Sequence, residues 1–582
     1  MGPFTNSSKP PKTKLLWFRY NAINGVASCG NSHIQNEVLR GQFGFDGYIV
    51  SDCGGVGDLS NSRYPAEQQC IANVADKVHN DNRSSCFLPP LQKKGQSVAG
   101  IAMNAGCDVD CGGMFTAGLG ASLKSGEVNA TRLRQALART FESRMRLGEF
   151  DDPTSLPWAA LGYTAINSEA HQTLALEAAQ QAVVLLRNEN ETLPLAKNLK
   201  LAVLGPNSNC STIETRATHN SGLKICNMLG SYTTGSPFVV TPADGIAEHA
   251  SVSWAVGSNI SGTDKRPIPE AVGLAAVADA TVLVLGLEVS RDFKDNTDFS
   301  EGESNDRLSM SLPSIQLALF EAVAAKAKKL VVVVMAGGPV DLSPLKTDKR
   351  IGALIVLGYP GMQGGRALAD ALFGSFAPSG RLPFSIYSQQ TLSTINVMDM
   401  RMRPSAQEGY PGRTHRFSTA PAVFEFGFGL QNWGRGLRFR WVSQTVADDC
   451  STETVGARRV VLNDYIRSFG SAKLAAYGAR RGPPLASRSI VVTNDAPTAA
   501  TSAMISTSVL VFVSAPGAGT DGRAIRELLD FKKLWLAPGQ SKTVEFAIHA
   551  RDATLVNGAA ERVAVKGAWT VRAGGLEAAV CL

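Results

Sequence analysis

Four short, uninterrupted apolar runs constrain this chain more than any other feature. They are LKLAVLG from Leu199, ATVLVLGL from Ala280, KLVVVVMAGG from Lys329 and GALIVLG from Gly352. A strand with one face in water alternates apolar and polar residues, whereas continuous apolarity marks a strand buried on both faces. A parallel sheet covered by helices on both sides meets that demand. Helix-forming stretches stand where the crossovers would run: SLPSIQLALFEAVAAKAKK before the third run and GGRALADALFG after the fourth. The pattern predicts a doubly wound α/β domain over residues 199–417.

The preceding region, residues 1–152, also alternates strand and helix patterns. LLWFRY, GYIVS and AGIAMNAG read as strands, and NSHIQNEVLRGQFG as a helix ending at Gly41. NATRLRQALARTFESRMRLGEF reads as a helix capped by Asn129 or Thr131, with Leu133, Ala136, Leu137, Thr140 and Met145 near one face. This alternation predicts a parallel α/β sheet or barrel. The polar segment from Leu59 to Lys94 reads as a surface insertion, and its Cys70 and Cys86 could pair. A helix from Glu169 to about Arg187 fills a linker over 153–198. Residues 418–488 carry a weak signal and read as a linker with some strand content. From 489 to 582, SIVVTND, SVLVFVSA, KTVEFAIHA and GAWTVRAGG are short strands split by Gly, Pro and Asn, which predicts a small β-sandwich.

Composition excludes several classes. Of 582 residues, 44% are apolar and 18% charged, which is globular rather than disordered. No apolar run is long enough for a transmembrane helix, so no membrane partner is expected. The net charge of +7 comes without any nucleic-acid module, so no nucleic acid is expected either. Cys107 and Cys111 lack a second metal-ligand pair, and no metal or other cofactor is implied. Six N-x-S/T sequons, at Asn6, Asn82, Asn129, Asn190, Asn209 and Asn259, lean towards a secreted glycoprotein. The polar opening MGPFTNSSKPPKTK has no apolar core of a signal peptide.

Ligands of parallel sheets meet the carboxyl ends of the strands. Asp52 stands at such an end, directly after GYIVS. A second group of acids, Glu301, Glu303 and Asp306 beside Arg307, follows the run TVLVLGL. Two carboxylates facing each other across a cleft suit glycoside hydrolysis, one attacking the anomeric carbon and the other protonating the leaving oxygen. Other chemistries lack their motifs. LAVLGPNSN has no phosphate-loop lysine, the histidines show no H-E-x-x-H, and Ser51 is not in G-x-S-x-G.

YNAINGVASC, LRGQFGFDGYIVSDCGGV, AMNAGCDVDCGG, YPGMQGGRALADALFG, PSGRLPFSIY, PGRTHRF and FEFGFGL run in order along the chain. Together they resemble the successive motifs of glycoside hydrolase family 3, and LLDFKKLWLAPGQSKTVEFAIHARD is similar to that family's fibronectin type III-like domain. The resemblance implies the C-terminal part of a (β/α)8 barrel, an α/β sandwich domain and a fibronectin type III-like β-sandwich. It implies a retaining, exo-acting β-glycosidase that works on oligosaccharides from the non-reducing end. Asp52 matches the nucleophile. In the E-x-x-D-R pattern Glu303 matches the acid/base, with Glu301 as the alternative, and Tyr20 matches an aromatic residue near the nucleophile. Cys53 and the stretch Cys107 to Cys111 are similar to the β-xylosidase and α-L-arabinofuranosidase branch, which favours β-xylosidase over β-glucosidase. Three strands cannot close a barrel, so a non-catalytic sugar-binding or structural protein is the competing expectation. The oligomeric state stays open.

Overall fold

A computed structural model describes residues 15–18, 21–23, 26–60, 97–209, 226–231, 236–289, 300–301, 307, 309–395, 399, 401–434, 436–442, 484–495, 504–520, 522–556, 562–565 and 567–581. Residues 61–96 therefore lie outside the described residues, and with them all but the first two residues of the insertion expected from Leu59 to Lys94, Cys70 and Cys86 included.

The four apolar runs form the centre of a six-stranded sheet. Its order is Val184–Asn188, Ile351–Val356, Leu330–Met335, Ala280–Gly286, Lys200–Leu204 and Ser251–Ala255. All neighbours are parallel except Val184–Asn188, which runs antiparallel along one edge. Successive side chains enter two cores. Val282, Val284, Val331 and Val333 pack in a core with Ile246 of helix Pro242–Ala247 and Leu368 and Leu372 of helix Gly364–Phe373. Leu283, Leu285, Val332 and Val334 pack in another with Ala271 of helix Ile268–Val277 and Phe320 of helix Ser314–Ala324. Burial on both faces is what the runs require, at roughly 1.5–3 kcal/mol for each large side chain.

Two of the runs end in glycine for a steric reason. A Cβ on Gly205, at φ 106°, would lie 2.2 Å from the Val284 carbonyl oxygen, and one on Gly286, at φ 145°, would lie 1.9 Å from that of Met335. Buried Gln316 secures the second corner. Its Oε1 accepts from the Gly286 N–H at 2.8 Å, and its Nε2 donates to the carbonyls of Gly286 and Ile260, both at 2.7 Å.

Several local expectations need correction. The helix predicted to reach Arg187 stops at Ala182, and Val184–Asn188 is the edge strand. Val183 to Leu186 is itself a continuous apolar run, and Ile351–Val356 offers it open backbone partners. AGIAMNAG is not a strand but the helix Val98–Ala105. Ser97 caps it by accepting from the Gly100 N–H at 2.8 Å, and Glu127 holds the Ser97 N–H at 3.0 Å. Helix Ala130–Arg146 is capped by Asn129. Of its expected apolar face Ala136 is buried, whereas Leu137 and Met145 are exposed at 48% and 61%.

In the N-terminal unit, strand Leu15–Phe18 lies parallel to Tyr48–Ser51, and Val109 bridges to Val50 in parallel. At the C-terminus two antiparallel sheets face each other. One orders Leu437–Trp441, Pro484–Asn494 and Ser541–His549, and the other Glu527–Leu536, Ile505–Ser514, Ala568–Ala573 and Leu576–Cys581. Leu437–Trp441 thus joins the sandwich from the stretch 418–488, which was expected to be a linker with some strand content.

A polar seam docks the sandwich onto the doubly wound unit. Gln431 Oε1 accepts from Thr507 Oγ1 and from the Ser508 N–H, both at 3.0 Å. Arg381 donates to the Ser508 carbonyl at 2.9 Å, and Lys533 Nζ to Ser379 Oγ at 2.7 Å. Burial, aided by Arg381, pushes Lys533 down to about 8, and burial pushes Arg381 down to about 10.

Two predictions follow from the packing. Gly286→Ala should place a methyl group against the Met335 carbonyl in a left-handed backbone, lowering the melting temperature or abolishing soluble expression. Lys533 holds its proton less tightly in the folded chain than in the unfolded one, so its charged form destabilises the fold below about pH 8. That cost fades as pH rises towards the ordinary lysine value near 10.4. Calorimetry should show the sandwich melting temperature rising over this window, and Lys533→Met should flatten the rise.

Candidate active site

Asp52 sits where the sequence places it, one residue beyond strand Tyr48–Ser51, and is only 7% exposed. Its N–H continues the parallel ladder by donating to the Phe18 carbonyl at 2.7 Å. Its Oδ1 accepts from the Cys53 N–H at 2.8 Å. The chain then turns tightly, with the Gly55 N–H on the Asp52 carbonyl at 2.9 Å. A Cβ on Gly55 would press on that carbonyl at 3.2 Å and on Cys29 Sγ at 3.3 Å.

The neighbouring segment clamps this turn from the side. Cys53 and Cys111 form a disulfide with their Cα atoms 4.3 Å apart. The Gly54 N–H donates to the Cys111 carbonyl at 2.7 Å, and the Cys111 N–H donates to Ser51 Oγ at 3.0 Å. Asp110 accepts from Ser51 Oγ at 3.3 Å and from the Phe115 N–H at 3.1 Å. The backbone carrying Asp52 is thus fixed on both sides.

Behind the strand lies a buried charge cluster. The Asp108 side chain is fully buried and meets three guanidiniums: Arg40 at 2.5 Å, Arg132 at 2.9 Å and Arg139 at 3.1 Å. Its Oδ2 also accepts from the Ile49 N–H at 2.9 Å, so the cluster grips the same strand three residues before Asp52. Burial is the main cause of the lowered Arg40 pKa. Arg139 and Arg132 lower it further, against the opposing pull of Asp108. Close by, the thiols of Cys29 and Cys107 are buried, and burial drives that of Cys107 well above its ordinary range.

The second acidic group is described only in part. Glu301 ends the short strand Ser300–Glu301, which pairs parallel with Glu288–Val289. Both of its oxygens are taken. Oε2 accepts from the Gly337 N–H and the Tyr359 hydroxyl, both at 2.6 Å. Oε1 accepts from the Gly338 N–H at 3.0 Å and pairs with Arg307 at 3.2 Å. Burial, and then Glu301 itself, keep the Tyr359 hydroxyl protonated. Glu301 therefore straps together the carboxyl ends of strands Leu330–Met335 and Ile351–Val356. Four donors on one carboxylate suit an anchor better than a group that must release and recapture a proton.

Glu303, Asp306 and Tyr20 lie outside the described residues. The described partners of Glu301 all belong to the doubly wound unit, so no described bond joins it to Asp52. Sequence reasoning missed the Asp108 cluster, the Cys53–Cys111 pairing and the strap on Glu301. The rule that flagged Asp52 could have flagged Gly337, Gly338 and Tyr359, since each follows a parallel strand. Among the described residues, no group of His, Cys, Asp and Glu could hold a metal ion. None of their helices is long and apolar enough to cross a membrane.

Replacing Asp108 by Asn should leave three half-buried cations without their acid. We expect a loss of about 3–5 kcal/mol from the N-terminal unit, read as an earlier thermal transition, while the sandwich transition stays in place.

Comparison with known proteins adds three findings. Residues 183–432 match the glycosyl hydrolase family 3 C-terminal domain, and residues 507–577 match a fibronectin type III-like domain. The chain is 31% identical to a probable β-D-xylosidase 7 of Arabidopsis thaliana over 556 residues, covering 94% of this chain and 64% of that one. It is 34% identical to a β-xylosidase/α-L-arabinofuranosidase 1 of Medicago sativa subsp. varia, covering 71% of this chain and 47% of that one. The chain thus spans from about half to just under two thirds of the length of these relatives. Among solved structures, it is similar to a GH3 exo-β-xylosidase in complex with a xylobiose aziridine activity-based probe, at TM-score 0.76 and 26% identity, covering 98% of this chain and 67% of that one. A β-glucosidase from Listeria innocua shares the fold at TM-score 0.70 and 20% identity.

Proposed function

Residues 183–432 match the glycosyl hydrolase family 3 C-terminal domain, and on that premise we propose that the chain belongs to this family and acts as a retaining, exo-acting β-xylosidase on xylo-oligosaccharides. The observation that carries this reading is Asp52: a buried carboxylate at the carboxyl end of a parallel strand, in a turn fixed by a disulfide and by backbone bonds. The names of the relatives and of the solved exo-β-xylosidase support it.

In this reading residues 1–152 supply the nucleophile, 199–417 the proton carrier, and 489–582 a buttress. Asp52 attacks the anomeric carbon as Glu303 gives its proton to the departing oxygen. The bond to the leaving sugar breaks and a glycosyl ester forms on Asp52. Water then attacks the anomeric carbon of that ester while Glu303 takes a proton from the water, and the bond to Asp52 breaks, which restores both acids and retains configuration. The strap on Glu301 favours Glu303 for proton transfer and leaves Glu301 to anchor the loop. Tyr20 lines the sugar beside the nucleophile. A second reading, cleavage of α-L-arabinofuranosides at the same site, is favoured by the name of the Medicago relative. Disulfide bonding at Cys53, Cys111, Cys226 and Cys581, together with the sequons, supports a secretory-pathway location.

A xylobiose aziridine probe should label the full chain on Asp52, located by peptide mass spectrometry, and Asp52→Asn should abolish the label. Glu303→Gln should slow hydrolysis of an aryl xyloside by about 10²–10⁴-fold, and azide should rescue Glu303→Ala. Full activity after Glu303→Gln would move proton transfer to Glu301. No label and no turnover would leave the non-catalytic sugar-binding reading.

A further inference from the structure

A cavity of about 520 Å³ opens where the sandwich meets the doubly wound unit, and it shares no lining residue with the Asp52 turn or the Glu301 strap. Three guanidiniums line it, those of Arg381, Arg526 and Arg572, against one carboxylate, Glu577. Arg572 bonds Glu577 through Nε at 2.5 Å and Ser514 Oγ through Nη1 at 2.8 Å. Arg526 pairs through Nη1 with Glu425 at 2.7 Å and lies 5.2 Å over the Phe512 ring. Arg381 donates to the carbonyls of Gly429 and Ser508 at 2.8 and 2.9 Å. Even with Glu425 counted, cations outnumber acids around the cavity.

The walls suit a polar ligand with an apolar flank. Phe439, Leu510 and Phe512 supply the apolar surface. Gly574 and Gly575, at φ 57° and 80°, make the two-residue turn between strands Ala568–Ala573 and Leu576–Cys581 at the rim. Phe439 lies 2.5 Å from where a Cβ on Gly574 would stand, so the turn presents bare backbone there. A guanidinium carries five N–H donors in a fork that matches a carboxylate. The bonds described for Arg526 and Arg572 leave donors over on each. Concave sites that join an apolar wall to a few placed polar groups are those that hold small ligands.

We propose that this cavity binds a saccharide bearing a carboxylate, a uronate residue, with Arg526 and Arg572 clasping the acid. The saccharide half of this assignment rests on the glycosidase reading above, and the anion half rests on the charges alone. Calorimetric titration of the full-length Asp52→Asn chain tests it without turnover. A xylo-oligosaccharide carrying one glucuronate branch should bind about tenfold or more tightly than the same unbranched oligosaccharide. The preference should shrink in high salt. It should vanish in Arg526→Ala/Arg572→Ala, with Arg572→Gln alone as a milder check should the double variant melt early. Glucuronate titrated against glucose repeats the comparison without a xylose chain, so the outcome does not depend on what Asp52 does. Equal affinity for the acidic and neutral ligands, or a preference that survives Arg572→Gln undiminished in a folded chain, would overturn the site.

Discussion

Burial of parallel strands on both faces governs where this molecule can place polar chemistry. A strand such as Leu330–Met335 has no exposed side, so every side chain along it must be apolar. Charged groups can stand only at the strand ends, where the backbone leaves the layer. The Glu301 strap and Tyr359 occupy such ends, and Asp52 stands at the end of the half-buried strand Tyr48–Ser51. The apolar interior is what makes those positions rigid, and rigidity is what the proposed reaction between two separately mounted acids would demand, since a misplacement of about 1 Å can cost on the order of 10²-fold in rate.

The support of Asp52 is layered. The ladder to Phe18 and Val109 sets the height of the strand, the disulfide and the Ser51–Cys111 bond set its lateral position, and Asp108 ties it to two helices through three arginines. A buried acid shared among three cations is weak evidence of net stability. It is better evidence of specificity, because only one arrangement of strand and helices satisfies all four groups at once. The doubly wound unit uses the same device in another form, with one carboxylate bridging two strand ends.

What the sequence made legible was set by range. The four runs announced their strands because both-face burial leaves a local, continuous apolar signature, and Asp52 was readable because it directly follows the apolar strand Tyr48–Ser51. AGIAMNAG was misread because Ala, Ile and Met suit helix and strand alike. The deciding contact, from Ser97 to Glu127, spans 30 residues. The Asp108 cluster joins residues 68 and 31 apart, and no local pattern marks such pairings. Val184–Asn188 carried the right composition for a strand but followed a helix without a break, so its change of form depended on an open sheet edge supplied far along the chain.

The Cys53–Cys111 bond joins residues 58 positions apart and closes a ring whose sequence includes the whole polar segment from Leu59 to Lys94. In a ring tethered at its neck, the entropy of the enclosed chain grows only with the logarithm of its length, and a doubling costs about 0.6 kcal/mol. Additions to the enclosed segment therefore place almost no strain on the turn beside the tether. The covalent neck uncouples Asp52 from changes in the length of the enclosed segment, so the carboxylate keeps its place whatever that segment gains or loses.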